Sequence, residues 1–391
     1  MVSAVRGGVP AGGSAATGER LLEDVVPDAV AAARVAARAL VESVLAPQAD
    51  RPADAGVLAA IAAERRRLGL WGVTVPAEAG GRGWSWPQQA ALQEECHRVP
   101  AGVWTGQALA AGEPPAPLYG AAAGVRERYL RPCLDGRRTA VQVWGADHGG
   151  IQGVWVRPAR GGVVLRGHLE GVPAYAAADL VLLVLPRPEG GGLDAYLCDR
   201  DLAGFDAGPA GETMGRMRLV DLTYQDCFVP EGRVLRDCDL PARRWRANRQ
   251  AAVLAAGALG AALASLEQGI AYARRRVTFG RPIGDRQAIQ WMVADGAREV
   301  YGAQVLVARA AEGGGSSAEA LDEAVRAKVY ATEAACRILD RVIQIHGAYG
   351  YSRDLPFEGL WRELAAYRFL EGRNDELLAA LAPATVSGLQ L

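Results

Sequence analysis

Apolar positions recur at helical spacing over the first third of the chain. Leu58, Ile61 and Leu68 share one face of Ala55–Leu68, and an Ala- and Arg-rich stretch of the same kind covers Ala29–Leu45. Pro47, Pro52, Pro76 and Gly80-Gly81 break the pattern, and Trp86–Val99 predicts another helix. From about Arg137 to Pro230 the runs become short. Val163–Leu165, Leu180–Leu185 and Leu219–Tyr224 are apolar or alternating, rich in Leu and β-branched residues, and bounded by Gly, Pro and Asp. That texture predicts a small all-β unit.

Helical periodicity returns after Arg243. Arg249–Arg276 reads as one long helix, and Gln287 to Ala311 reads as a second. Gly313–Gly315 predicts a loop, after which Ser316 and Glu319 have the spacing of a capping box. Leu321, Val325, Val329, Cys336, Leu339 and Val342 then mark the apolar face of a third helix. The expected division is a Gly/Ala/Ser-rich tail over 1–20, a helical domain over 21–136, a β domain over 137–240 and a helical bundle over 241–391.

Composition narrows the function. At 391 residues, half of them hydrophobic, the chain can bury a large core. A net charge of −1 gives no reason to expect nucleic acid or an anionic membrane as partner. Six cysteines without a C-x-x-C pair, and four scattered histidines, predict neither a disulfide framework nor a metal site. His346 and His148 are weaker candidates for catalysis than for packing, and His97 and His168 weaker still. No secretory signal or membrane span stands out, which points to the cytoplasm. Lys328 is the sole lysine in an arginine-rich chain, a bias read here as codon composition.

Four segments together resemble the acyl-CoA dehydrogenase family. They are Leu68-Gly-Leu-Trp-Gly-Val-Thr-Val-Pro76 with Gly80-Gly81-Arg-Gly83; Met214-Gly215 through Val229-Pro230; Tyr272-Ala-Arg-Arg-Arg276-Val-Thr-Phe279-Gly280-Arg-Pro282-Ile283 with Gln287 and Gln290; and Gln344-Ile-His-Gly347-Ala-Tyr-Gly350-Tyr351 with Arg362 and Glu371-Gly372 downstream. The match runs from about residue 20 to 380. The resemblance implies an α+β fold with an N-terminal helical domain, a middle β-barrel-like domain and a C-terminal four-helix bundle. It also implies a homodimer or homotetramer sharing FAD between subunits, and α,β-desaturation of an acyl thioester. Such a thioester can be carried by coenzyme A or by an acyl-carrier protein, and an electron-transfer flavoprotein would take the electrons.

In that register Glu371 falls where the family keeps its base, and Arg249 where it commonly places a nearby arginine. Removing a weakly acidic α-proton needs a carboxylate held close in a water-poor pocket, and Gly372 allows the backbone to turn there. Arg276, Phe279, Gln287, Gln344 and Gly347 match positions at the pyrophosphate and adenosine end of FAD, where a guanidinium can fork onto phosphate. The ring end departs from the family. Its "TEP…GSD" segment reads Gln142-Val-Trp144-Gly-Ala-Asp-His148-Gly-Gly150, its "W-I-T/S" reads Gly171-Val172-Pro173, and its "EGT" reads Glu371-Gly372-Arg373. Gly171 cannot stack on a ring, and Pro173 offers neither hydroxyl nor N–H; Trp144 is a candidate replacement for the lost stacking partner. Three functions stay open: an FAD-dependent desaturase of specialised metabolism, a flavin-independent proton-transfer enzyme using Glu371, or a degenerate subunit completing a paralogue's FAD site.

Overall fold

The computed structural model describes residues 27–48, 55–103, 114–144, 153–173, 178–187, 192–214, 218–238, 240–315 and 317–388. Helices α1 (Pro27–Leu40), α2 (Ala55–Arg67) and α3 (Trp86–Cys96) form the N-terminal layer. At the start of α3 the Gln88 side chain accepts the Ser85 N–H at 2.9 Å, and Pro87 sits where a missing N–H costs nothing. Helix α3 is buried along nearly its whole length and carries two acids inward. Glu94 and Glu95 each lie 3.4 Å from buried Arg34, and Arg38 reaches Glu95 at 3.1 Å. Removing one partner from such a buried pair costs several kcal/mol, so these contacts fix α1 on α3.

The middle region is two four-stranded sheets, and the expected barrel does not close. One has the order β1 (Ala140–Trp144), β4 (Leu180–Pro186), β5 (Leu193–Asp199), β8 (Val234–Leu235); the other has β2 (Val154–Ala159), β3 (Gly162–Pro173), β7 (Arg218–Pro230), β6 (Phe205–Glu212). Only the β1–β4 pairing is parallel among the described strands of these sheets. The unbroken apolar run of β4 has a simple cause: both faces are covered. Val181, Leu183 and Leu185 join the core between the sheets, whereas Leu180 and Leu182 pack with Leu118, Tyr129 and Leu130 of the N-terminal region.

The C-terminal bundle is built from α4 (Leu240–Arg275), α5 (Gln287–Glu312) and α6 (Ala318–His346), with α7 (Phe357–Ala366) and α8 (Asn374–Gly388) laid against α6. Helix α4 approaches α3 very closely. A Cβ on Gly257 would stand 2.8 Å from the His97 ring, and one on Gly260 would stand 2.0 Å from the Glu94 carbonyl. By composition Arg249–Arg275 is apolar enough to cross a membrane, yet 72% of its most apolar window is buried, as in a core helix. The cap of α6 is one residue later than the spacing suggested: Ser317 Oγ accepts from Ala320 N at 3.1 Å, and Ser316 lies outside the described residues.

Candidate active site

Between α7 and α8 the chain makes a tight turn that carries Glu371. The Asn374 N–H closes it onto the Arg368 carbonyl at 3.0 Å. Two successive residues are left-handed, Glu371 at φ 53° and Gly372 at φ 101°. Glycine takes that conformation freely, but for a glutamate it costs about 1 kcal/mol or more. A strained non-glycine residue persists only where its surroundings impose it, and such residues gather at functional sites.

Three elements impose it here. From α4, the Gln250 side-chain amide faces the half-buried Glu371 carboxylate; a carboxylate offers only acceptors, so the amide is assigned with its nitrogen towards it, donating to both oxygens. From α6, the fully buried Lys328 ammonium donates to the Gly372 carbonyl at 2.7 Å, to Asn374 Oδ1 at 2.8 Å and to the Arg368 carbonyl at 3.4 Å. Burial pulls Lys328 down from 10.5 to about 8, against the opposing pull of the Glu371 and Glu333 carboxylates. From α3, His97 meets Tyr367, which stands at the end of α7 just before the turn. Its Nε2 lies 3.0 Å from the Tyr367 hydroxyl and its Nδ1 2.8 Å from the Gln93 carbonyl. Burial drives His97 down to about 4, so the ring is neutral near pH 7.

Arg249 directs Nε at Gln89 Oε1, 3.4 Å away on α3. Gln250, the next residue of α4, faces the carboxylate, a contact the sequence pattern did not single out. Lys328 was also missed, although one lysine among so many arginines was a visible signal. Arg362 ties α7 to the β region by donating to the Met214 carbonyl at 3.1 Å.

Arg276 and Gly347 come together elsewhere. With Arg275, Tyr272, His346 and Tyr349 they line an open cleft of about 760 Å³. His346 stacks on Tyr272 with ring centroids 4.2 Å apart, and its Nδ1 faces the Val342 carbonyl at 2.8 Å. Gly347 is left-handed at φ 62° with open space where a Cβ would be, so its backbone can approach a ligand. Phe279, at φ 49° and 97% exposed, occupies the tip of the short hairpin Val277–Pro282 beside this cleft's Thr278, with the Arg286 guanidinium 5.5 Å from its ring. Gln287 and Gln344 are exposed, at the first residue of α5 and in the last turn of α6. Two guanidinium-bearing residues, an accessible glycine backbone and aromatic walls fit the phosphate and adenine portions of a dinucleotide.

Two of the three ring-end segments reach into the β region, and the third is the Glu371 turn itself. Trp144 is buried with Val184, Ala195 and Cys238 at the end of β1. Pro173 ends β3 opposite Leu219. Gly171, at φ 65°, sits in a bulge where its N–H donates to Asp221 Oδ1 at 2.9 Å. A tryptophan there would be strained, so this strand is shaped around glycine. His148 lies outside the described residues. Among the described residues no group of three His, Cys, Asp or Glu side chains could hold a metal.

The sequence profile of the acyl-CoA dehydrogenase N-terminal domain matches residues 28–137, and that of the C-terminal domain matches residues 241–385. The chain belongs to the acyl-CoA dehydrogenase family, whose members are oxidoreductases that bind FAD. It is 29% identical over 320 residues to an acyl-CoA dehydrogenase of Bacillus subtilis (strain 168), covering 78% of this chain and 84% of the relative. A 3-sulfinopropanoyl-CoA desulfinase of Paraburkholderia xenovorans (strain LB400) is 37% identical over 144 residues, 37% of each chain. The fold matches butyryl-CoA dehydrogenase from Megasphaera elsdenii with a TM-score of 0.79 at 23% identity, over 92% of this chain and 98% of the other. Other relatives are acyl-CoA reductases or dehydrogenases.

Proposed function

We propose that this protein is an FAD-dependent oxidoreductase that acts on the α,β-bond of an acyl thioester, with Glu371 as the base. The observation that carries it is the Glu371 turn: a strained carboxylate-bearing residue held by α4 and α6. In desaturation Glu371 takes the α-proton while the β-hydrogen leaves as hydride; in reduction it returns the proton. FAD, when bound, supplies the hydride acceptor, with Arg276 and the Gly347 backbone as its pyrophosphate and adenosine contacts.

Helix α6 also supports an oligomer. Lys328, at the Glu371 turn, and His346, in the cleft, are eighteen residues apart on it, ~27 Å at 1.5 Å per residue. A dinucleotide with its pyrophosphate in the cleft could not bring its ring to Glu371 of the same chain. The base of one copy therefore works with the cleft of another, in a homodimer or homotetramer. Coenzyme A or an acyl-carrier protein carries the substrate, an electron-transfer flavoprotein takes the electrons, and the setting is cytoplasmic specialised metabolism.

A second reading keeps Glu371 and dispenses with hydride transfer. It is favoured by the glycine bulge at Gly171, which leaves no stacking side chain at that position, and by the desulfinase among the relatives. The visible spectrum separates the two. The redox reading predicts a yellow protein whose flavin bands bleach anaerobically with one member of an acyl-CoA panel. A colourless preparation, inactive with added FAD, would sink it. Glu371→Gln should slow bleaching by at least about 100-fold with flavin content unchanged; full activity would remove the base assignment.

A further inference from the structure

The lone lysine has no part in the chemistry just described, yet it is among the largest side chains fully excluded from solvent. An ammonium is normally kept in water, and burying one is unfavourable unless its donors are all used. All three acceptors of Lys328 belong to the seven-residue stretch from Arg368 to Asn374, which encloses Glu371. Two are backbone carbonyls. The third, Asn374 Oδ1, begins α8, and the same amide donates to Thr332 Oγ1 at 3.1 Å, one helical turn along α6 from Lys328. Thr332 in turn donates to the Lys328 carbonyl at 2.8 Å.

We propose that Lys328 is a positioning residue for the base. By holding the Gly372 and Arg368 carbonyls and the Asn374 side chain, its ammonium fixes the left-handed pair Glu371-Gly372, and so fixes the direction in which the Glu371 carboxylate leaves the backbone. The geometry favours this over general bracing of the bundle. A brace between helices would contact helical side chains, whereas two of the three acceptors of Lys328 are backbone carbonyls of the turn, and the third is the side chain of Asn374, the residue that ends the turn and begins α8. The proposal rests on Glu371 being the base. A displacement of 1 Å at a reacting group is enough to lower a rate by about 100-fold.

The experiment uses the full chain and the acyl-CoA from the panel above with the fastest bleaching. Lys328→Met should lower kcat about 10- to 100-fold while KM and flavin per chain stay within twofold. In a Glu371→Gln background the same change should cost nothing further, because there is no longer a base to position. Amide exchange over residues 368–374 should accelerate at least tenfold, with the rest of α6 unchanged, and this is measurable with no substrate. Asn374→Ala, which removes one acceptor and keeps the amine, should move kcat in the same direction by a smaller factor, and serves if Lys328→Met aggregates. Unchanged exchange over 368–374, a kcat within twofold of wild type, or an equal loss in both backgrounds would overturn the proposal. Failure of the base assignment looks different: Glu371→Gln would then be fully active whatever Lys328 does.

Discussion

Removing the buried charge of Lys328 by raising the pH should stabilise the protein, and the size of the effect follows from its surroundings. Burial lowers Lys328 from 10.5 to about 8, while Glu371 from the turn and Glu333 from its own helix pull the other way. Well below pH 8 the amine is protonated in both folded and unfolded chains, and the burial penalty is present in full. Between pH 8 and 10.5 the unfolded chain keeps a proton that the folded chain has lost, so stability rises with pH. Above 10.5 both states are neutral and the gain is complete. The full span is worth up to about 3 kcal/mol at 1.36 kcal/mol per pH unit. Urea melts of wild type and Lys328→Met at matched pH values give the difference curve, in which the titration of the buried cysteines and tyrosines cancels. The wild type should gain on the variant by about 2–3 kcal/mol between pH 8 and 10.5. A flat difference curve would refute the linkage and place the ammonium in contact with water.

Two further outcomes follow from the packing. His97 is held neutral by burial at about 4, against an ordinary value of 6.5, so stability should fall as the pH drops from 6.5 towards 4 while the unfolded chain takes up the proton first. Melts of His97→Gln over that range should show a shallower acid dependence than wild type. Gly257→Ala places a methyl group 2.8 Å from the His97 ring and should lower stability by about 1–3 kcal/mol, read as a lower urea midpoint with an unchanged slope.

The order of helical, β and helical regions was legible because it rests on local periodicity, and apolar spacing of two or about 3.6 is a property of neighbouring residues. The glycine and arginine segments were legible for the same reason: each motif is short, and Gly347 and Gly372 occupy left-handed positions where glycine is the undemanding residue. The alternating duty of β4 was not legible. Its run of six apolar residues shows that both faces are covered but not that one meets the second sheet and the other the segment around Leu118, Tyr129 and Leu130. Closure of a barrel likewise depends on strand pairing, and the strands chose two open sheets.

At the site, the sequence by itself determined that a carboxylate would stand beside a glycine near the end of the bundle. Only the tertiary structure decided what holds it. Gln250 and Lys328 lie far from Glu371 along the chain, Lys328 being 44 residues before the carbonyl it grips, and no local pattern encodes a contact across that distance. The tertiary structure likewise separated the cleft at the C-terminal end of α6 from the Glu371 turn, because the eighteen residues from Lys328 to His346 span ~27 Å of helix. A lysine that looked like a remnant of codon bias is buried there because two carbonyls of one strained turn and the Asn374 side chain converge on it.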